Sequence, residues 1–412
     1  HGTHVASIAA GVAITDVASG VAPAAQLVAL KVFGRSGSTT LTIDALEWAT
    51  ENYLEHGWPH VINMSLGSNF GTDDPEDPSV KGSQAAAEAG IVVVASAGNA
   101  GNNSYITGSP ATADKAISVA ASTTGYVTGP TINISGTKYI TQTNIVYTPA
   151  SFDDNTGHYT ETTIAPLAYV GALEGAPNNR LCSVDDWSGV AEDALAGQIA
   201  LIQRGVCAFS EKVNNAAAFG AVGTIIYNNA PGPFGGIGTP VTIPAAFIQM
   251  PDGENLIPAH GQDVIVDAKD DVSTVPDPYT PADTIAGFSS RGPRGYDSAL
   301  KPEITAPGVG IFAADMGSGT AGVSMGGTSM AAPHIAGVAA LMLQANDEWS
   351  PETVKAAMMN TVMAPVLGAT IPRAGAGRVD AYRAVSTDVY AVGDADLVSV
   401  NWGVIMSRND TV

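Results

Sequence analysis

The chain has 412 residues, 45% of them hydrophobic and 14% charged, enough to bury a large core and to hold more than one domain. Asp and Glu number 39 against 17 Lys and Arg, and the resulting net charge of −22 argues against nucleic acid or an anionic membrane as a partner. No apolar run reaches the roughly 18 residues of a membrane span. The acidity suits a soluble protein outside the cell or in a salty medium and does not choose between them.

In chain order, His1-Gly2-Thr3-His4-Val5-Ala6-Ser7-Ile8-Ala9-Ala10 puts a histidine at the head of a small-residue, helix-compatible segment. Leu27 to Val32 reads as a short buried strand, Thr42 to His56 as a helix with Leu46, Ala49 and Tyr53 at helical spacing, and Val61 to Ser65 as another strand. Ala85 to Ala89 reads as helical, Ile91 to Ala95 as a third strand and Ala116 to Ala120 as a fourth. Strands alternating with helices specify an α/β fold, a parallel sheet with helices on both faces. Ligands of such sheets bind beyond the carboxyl ends of the strands, where Ser65-Leu66-Gly67 and Ala97-Gly98-Asn99 fall. The acidic run Asp73, Asp74, Glu76, Asp77, broken by Pro75 and Pro78, could offer oxygen ligands to a structural calcium, although a solvated loop is the favoured reading.

From about Gly125 the texture changes to Thr, Ile, Tyr and Gly in short alternating runs, a β-rich pattern that lasts until near Thr284. Beyond it, Gly327-Thr328-Ser329-Met330-Ala331-Ala332-Pro333-His334 leads into Ile335 to Leu343, apolar on every side, as a helix enclosed by protein would be. Ser329 sits where that helix begins, in reach of unpaired backbone N–H groups and the positive end of the helix dipole. A serine hydroxyl at neutral pH needs a base within hydrogen-bond reach to act as a nucleophile. His1 offers one, and the Asn99 amide could donate to an oxyanion. Each residue also has a plainer reading: Ser329 as a helix N-cap, Asn99 as a turn residue after Gly98, and His4 and His334 as packing residues. Trp349-Ser350-Pro351 reads as a further helix start, with Ser350 as N-cap.

Three segments in this order, HGTHVA at 1–6, SAGN at 96–99 and GTSMAAPH at 327–334, resemble the subtilases, the subtilisin-like serine peptidases. Gly20 to Pro23, Asn63 to Gly67, Phe288 to Pro293, Lys301 to Val309 and Gly375 to Ala381 are similar to further subtilase segments. The resemblance implies a subtilisin-like fold and a serine endopeptidase that works through a Ser-His-Asp triad and an acyl-enzyme. His1 would be the general base, Ser329 the nucleophile and Asn99 the oxyanion donor, roles taken over from subtilisin itself. It further implies that Gly37 and Ser38 pair with the substrate backbone, and that Ser65, Leu66, Gly67, Ala97 and Gly98 wall the primary pocket. No cofactor would be required for the chemistry and no metal-ligand set is read. Protein or peptide substrates and an extracellular location are expected.

The family's Asp-Thr/Ser-Gly motif upstream of the histidine is absent, so the expectation is a fragment truncated at its N-terminus, with at most residual peptidase activity by itself. Gly197 to Gly205, Cys207 to Phe209, Glu211 to Phe219 and Gly223 to Asn229 resemble a protease-associated domain, inserted between the asparagine and the nucleophile. By that likeness Cys182 and Cys207 are expected to form a disulfide. The expected organisation is a first peptidase segment at 1–139, the β-rich insertion at 140–280, a second peptidase segment at 281–387, and the start of a β-rich C-terminal domain at 388–412. The alternative function is a non-catalytic binding protein on a decayed peptidase core, disfavoured because serine, histidine and asparagine are all retained. No Gly-x-Ser-x-Gly elbow surrounds Ser329, which disfavours an esterase.

Overall fold

Val92-Val93-Val94-Ala95-Ser96 is apolar without alternation, and such a run fits a strand covered on both faces. In the computed structural model it forms strand β2 (Val92–Ser96), buried at every residue, between β1 (Val61–Met64) and β3 (Ile117–Thr123), with the strand Ile304–Val309 beyond β3. The structure describes residues 1–14, 17–34, 39–68, 76–137, 140–146, 148–149, 151–152, 159–230, 237–238, 240–277, 280–363, 366–393 and 398–399. All pairings in this four-stranded sheet are parallel.

Successive strand side chains point to opposite faces, and each face has its own helices. Val92 and Val94 pack with Ala332, Ile335 and Ala339 of the helix Thr328–Ala345. Val93 and Ala95 pack with Leu46 of helix α2 (Thr42–His56) and with Val80, Ala86 and Ala87 of helix α3 (Pro78–Ala89). α2 stops at Gly57 with φ 76°, and α3 starts on Asp77, whose carboxylate accepts from the amides of Ser79 (2.8 Å) and Val80 (3.3 Å). Of the acidic run, Glu76 pairs with Lys81 and Asp77 caps the helix, while Asp73 and Asp74 lie outside the described residues.

One expected strand is not there. Leu27 to Val32 forms no strand, and Leu27, Val28 and Leu30 are 57%, 47% and 41% exposed. A strand exists only through its pairing, and among the described residues none pairs with this run; β1 is the edge of its sheet.

Helix α1 (Gly2–Ala10) is anchored by His4, which is 1% exposed. Its Nε2 lies 3.0 Å from the carbonyl oxygens of both Ile311 and Val323. These belong to an antiparallel pair, Ile311–Ala314 with Gly322–Met325. Nε2–H therefore donates, and the buried Nδ1 has no partner among the described residues. Ring protonation would place an unsolvated charge there, and burial lowers the His4 pKa against the opposing pull of the two carbonyls.

Three fully buried charges lock the approach to β3. Lys301 and Lys355 both contact Glu303 Oε1, at 2.7 and 2.6 Å, and Glu303 Oε2 accepts from the Ser118 amide at 2.6 Å. Lys301 also donates to the carbonyls of Ala113 (2.6 Å) and Ala116 (3.0 Å), and Lys355 to that of Asp114 (2.5 Å). Lys355 comes from the helix Pro351–Asn360, which Ser350 caps by accepting from the Thr353 amide.

Contacts divide the chain into two units, His1–Thr124 with Pro281–Val412, and Gly125–Thr280. The second begins at Gly125 and not at 140, because the strand Tyr126–Thr137 pairs antiparallel along almost the whole of Asp263–Pro276. Its eight-stranded mixed sheet buries Ile132, Leu167, Ile199, Ile225 and Val264 in one cluster and Ala200, Ile202, Ile226, Phe247 and Trp187 in another. The Cys182–Cys207 disulfide is present, with its Cα atoms 5.5 Å apart. Of the expected C-terminal domain at 388–412, positions 394–397 and 400–412 lie outside the described residues.

Two measurements check this account. Glu303→Gln leaves two buried ammonium groups without a counter-charge, so the urea midpoint should fall by the equivalent of about 3 to 5 kcal/mol at an unchanged slope. For His4 the folded pKa lies below the unfolded value of about 6.5, so its contribution is present above that pH and is lost as pH falls through the folded pKa. The stability difference between the wild type and His4→Gln should therefore shrink between pH 7 and pH 5.

Candidate active site

The helix Thr328–Ala345 begins inside the protein, and its N-cap Gly327 has no side chain to satisfy the first amides. Asn99, in the loop after β2, supplies the missing acceptor. Its Oδ1 accepts from the Thr328 amide at 2.9 Å and from the Thr328 hydroxyl at 2.9 Å, and that hydroxyl accepts from the Gly98 amide at 3.2 Å. With the oxygen end of the amide engaged, the Nδ2 end faces the opposite way. A Cβ on Gly327 would stand 3.5 Å from Asn99 Nδ2 and 3.6 Å from the Ser329 amide nitrogen, so the two donors flank one small region that a side chain would crowd. Like other first-turn amides, Ser329 N–H has no partner within its helix.

The Asn99 loop is braced from below. Gly98 has φ 108°, and a Cβ there would meet Ser290 Oγ at 2.8 Å. Ser290 Oγ accepts from the Ala100 amide (3.0 Å), the Ser290 amide donates to Gly98 O (2.9 Å), and the Gly101 amide donates to Phe288 O (2.8 Å). Phe288 to Ser290 thus hold the loop in place from a distant part of the sequence.

Ser329 is half-buried at the carboxyl end of β1. Its hydroxyl donates to Ser65 O at 3.3 Å, while Ser65 Oγ donates to Ser329 O at 2.7 Å and accepts from Asn63 Nδ2 at 3.0 Å. His1 precedes α1 with an exposed side chain, its carbonyl accepting from the Val5 amide at 3.0 Å. α1 lies alongside the serine-bearing helix in the same sense. Ile8 and Val5 pack with Met330, and further along a Cβ on Gly337 would sit 3.1 Å from Ala9 O and 2.5 Å from Val21 Cβ. The two helices therefore begin at the same end. His334 lies one turn into the helix, its Nδ1 donating to Met330 O at 2.8 Å, with its pKa lowered by burial.

Ser65, Leu66 and Gly67 follow β1, and Ala97 and Gly98 follow its parallel neighbour β2, so the two segments stand side by side, joined by Ser96 Oγ donating to Leu66 O at 3.3 Å. Leu66 is half-buried against the core that contains Leu46 and Met64, and Ala97 is fully buried. Gly37 and Ser38 lie outside the described residues. Sequence reasoning missed Thr328, although it lies within the recognised motif, because its partners Gly98 and Asn99 are about 230 positions away. Of the stretch Asn102 to Thr107, which the subtilase resemblance makes the pocket floor, Ile106 and Thr107 belong to a segment, Ile106 to Ser109, that runs between the two wall segments. The Ile106 amide donates to Arg291 O (2.9 Å), the Gly108 amide to Ala97 O (3.2 Å), and Ser109 O accepts from the Ser68 amide (3.0 Å). Among the described residues no cluster of His, Cys, Asp or Glu could hold a metal ion, and no helix is long and apolar enough to cross a membrane.

Known proteins share this arrangement of sequence. The minor extracellular protease Vpr of Bacillus subtilis (strain 168) is 32% identical over 375 residues, covering 88% of this chain and 42% of its own length. A PII-type proteinase of Lactococcus lactis subsp. cremoris is 34% identical over 376 residues, covering 84% and 19% respectively. The subtilisin-like protease SBT1.7 of Arabidopsis thaliana is 29% identical over 384 residues, covering 88% and 48%. The chain thus spans less than half the length of each of these relatives. Residues 1–391 match the subtilase family, peptidase S8, and the chain belongs to that family.

Proposed function

We propose that this chain carries the catalytic core of a secreted serine endopeptidase that hydrolyses peptide bonds in proteins through an acyl-enzyme. The observation that carries the reading is the junction of Asn99, Thr328 and Ser329, where one set of hydrogen bonds begins the helix and turns an amide N–H toward the nucleophile's own amide. Ser329 Oγ attacks the substrate carbonyl carbon while the His1 imidazole takes its proton. The tetrahedral oxyanion accepts from Asn99 Nδ2 and Ser329 N, and collapse expels the amine with the proton returned from His1. Water then repeats the sequence on the acyl-enzyme. No cofactor is needed for these steps. The disulfide, which persists in oxidising compartments, and a relative named as an extracellular protease support secretion. Gly125–Thr280 is read as a protease-associated domain, lying in sequence between Asn99 and Ser329.

Specificity follows from the wall segments. Ser65, Gly67, Ala97 and Gly98 are small and uncharged, and Leu66 is apolar. Such walls accept a large apolar side chain before the scissile bond and offer no carboxylate to Lys or Arg. An apolar pocket discriminates by only about 1 to 3 kcal/mol per methylene, which gives broad specificity.

Two experiments on the full-length protein test the reading. Ser329→Ala should abolish turnover and labelling by an organophosphorus reagent, and Asn99→Ala should lower kcat by about 10² to 10³ with little change in KM; a raised KM with kcat spared would reject the oxyanion role. In peptides that differ only at the residue before the scissile bond, kcat/KM should favour Phe, Tyr, Leu or Met over Arg and Lys, and a clear basic preference would reject the pocket.

A further inference from the structure

We propose that the Cys182–Cys207 disulfide is a thiol-exchange site, attacked at the Cys207 sulfur and releasing Cys182 as a thiolate beside Lys212. The inference concerns the second unit alone and does not depend on the peptidase reading.

The two sulfurs have unequal surroundings. Lys212 is fully buried on the helix Phe209–Ala218, and its Nζ lies 3.3 Å from Cys182 Sγ and 2.5 Å from the Arg180 carbonyl oxygen, to which it donates. Cys182 Sγ also lies 3.3 Å from Gly205 O. A disulfide sulfur carries no proton, so neither approach is a hydrogen bond from sulfur in the oxidised protein. Both become favourable once the bond opens, since a thiolate gains the ammonium and a thiol gains the carbonyl as acceptor. Among the described residues Cys207 Sγ has no comparable partner.

A buried ammonium is ordinarily matched by a carboxylate. Among the described residues Lys212 has none in contact. The charges acting on it are Arg180, which opposes its own, and Glu211, which favours it, and burial brings its pKa down to about 8. A cation beside a thiol stabilises the thiolate, and the thiol of lower pKa leaves faster in exchange. Cys182 is thus the leaving group and Cys207 the atom attacked. Both cysteines are half-buried; Cys207 stands between exposed Val206 and exposed Ala208, and Cys182 between buried Leu181 and half-buried Ser183.

The backbone on both sides of the bond is held away from its preferred conformation. Leu181 and Val206, each immediately before one of the cysteines, have φ of 51° and 70°. Val206 is β-branched and 85% exposed, at the centre of a turn closed by the Cys207 amide on Gly205 O at 2.9 Å. A β-branched residue at positive φ is unusual, and opening the disulfide releases the link that spans both positions.

The step is balanced as follows. The thiolate of a low-molecular-weight thiol forms a bond to Cys207 Sγ, the Cys182–Cys207 bond breaks, and its electron pair leaves on Cys182 Sγ. A second external thiolate, attacking the external sulfur of the mixed disulfide, frees Cys207 and departs as the external disulfide. The two thiols thereby supply both electrons of the reduction.

The test exposes the folded protein to a short pulse of glutathione, quenches the exchange with acid, blocks the freed thiols with N-ethylmaleimide and maps both cysteines by peptide mass spectrometry. Glutathione should be found on Cys207 and the maleimide adduct on Cys182, by roughly five to one or more. Lys212→Met should slow the first exchange about fivefold and even out the distribution, while Lys212→Arg should retain both rate and preference. Equal labelling of the two cysteines in the wild type, or glutathione mainly on Cys182, would overturn the proposal. So would a Lys212→Met protein that keeps the wild-type rate and ratio. Should Lys212→Met fail to fold by circular dichroism, the wild-type labelling pattern alone decides.

Discussion

A helix that begins inside a protein must find partners for its first amides among residues it did not bring with it. In this chain that constraint falls on Thr328, and Asn99 meets it with an oxygen that accepts from both the amide and the hydroxyl. Leaving such an amide unpaired would cost the desolvation of a buried donor, about 1 to 3 kcal/mol. A carboxamide has two ends, and fixing the oxygen fixes the nitrogen. The same contacts that start the helix therefore aim Asn99 Nδ2 past Gly327 toward the Ser329 amide. Everything that positions Asn99 serves this arrangement, including the positive φ of Gly98 and the Ser290 hydroxyl beneath it.

Parallel strands place their carboxyl ends together, which is why loops from β1 and β2 and the serine-bearing helix meet at one edge. The helix approaches closely because Gly337 lets Val21 and Ala9 come up against it, and the small residues on its sheet face let it settle onto Val92 and Val94. At the opposite ends of the strands the polypeptide turns under cover, and the carbonyls of Ala113, Asp114 and Ala116 receive no donors from a ladder. Lys301 and Lys355 supply them, and Glu303 neutralises part of the charge this introduces. Buried charge is used here to complete main-chain hydrogen bonding, a task that apolar packing cannot perform.

What the sequence made legible was what short-range pattern encodes. Helix α2 shows 3.6-residue periodicity followed by Gly57, and its bounds fall at Thr42 and His56. β2 was legible from an unbroken apolar run. Long-range pairing was not legible. Leu27 to Val32 has the composition of a strand but no partner among the described residues, and the second unit starts at Gly125 because a strand more than 130 positions later pairs back to Tyr126. Thr328 was hidden for the same reason, since a threonine's hydrogen-bond partner cannot be read from its neighbours.

The buried lysines of the two units make the electrostatic logic plain. Lys301 lies against a carboxylate, so its charge is compensated in the folded state as it stands, and it acts as a fixed part of the scaffold. Lys212 lies against a carbonyl and a disulfide sulfur, neither of which carries a formal charge. Among the described residues no carboxylate touches it, and an anion at Cys182 would be the contacting complement it lacks. Two ammonium groups of similar burial thus differ in what the surrounding atoms can become, and that difference separates a structural cation from one poised for chemistry at its neighbour.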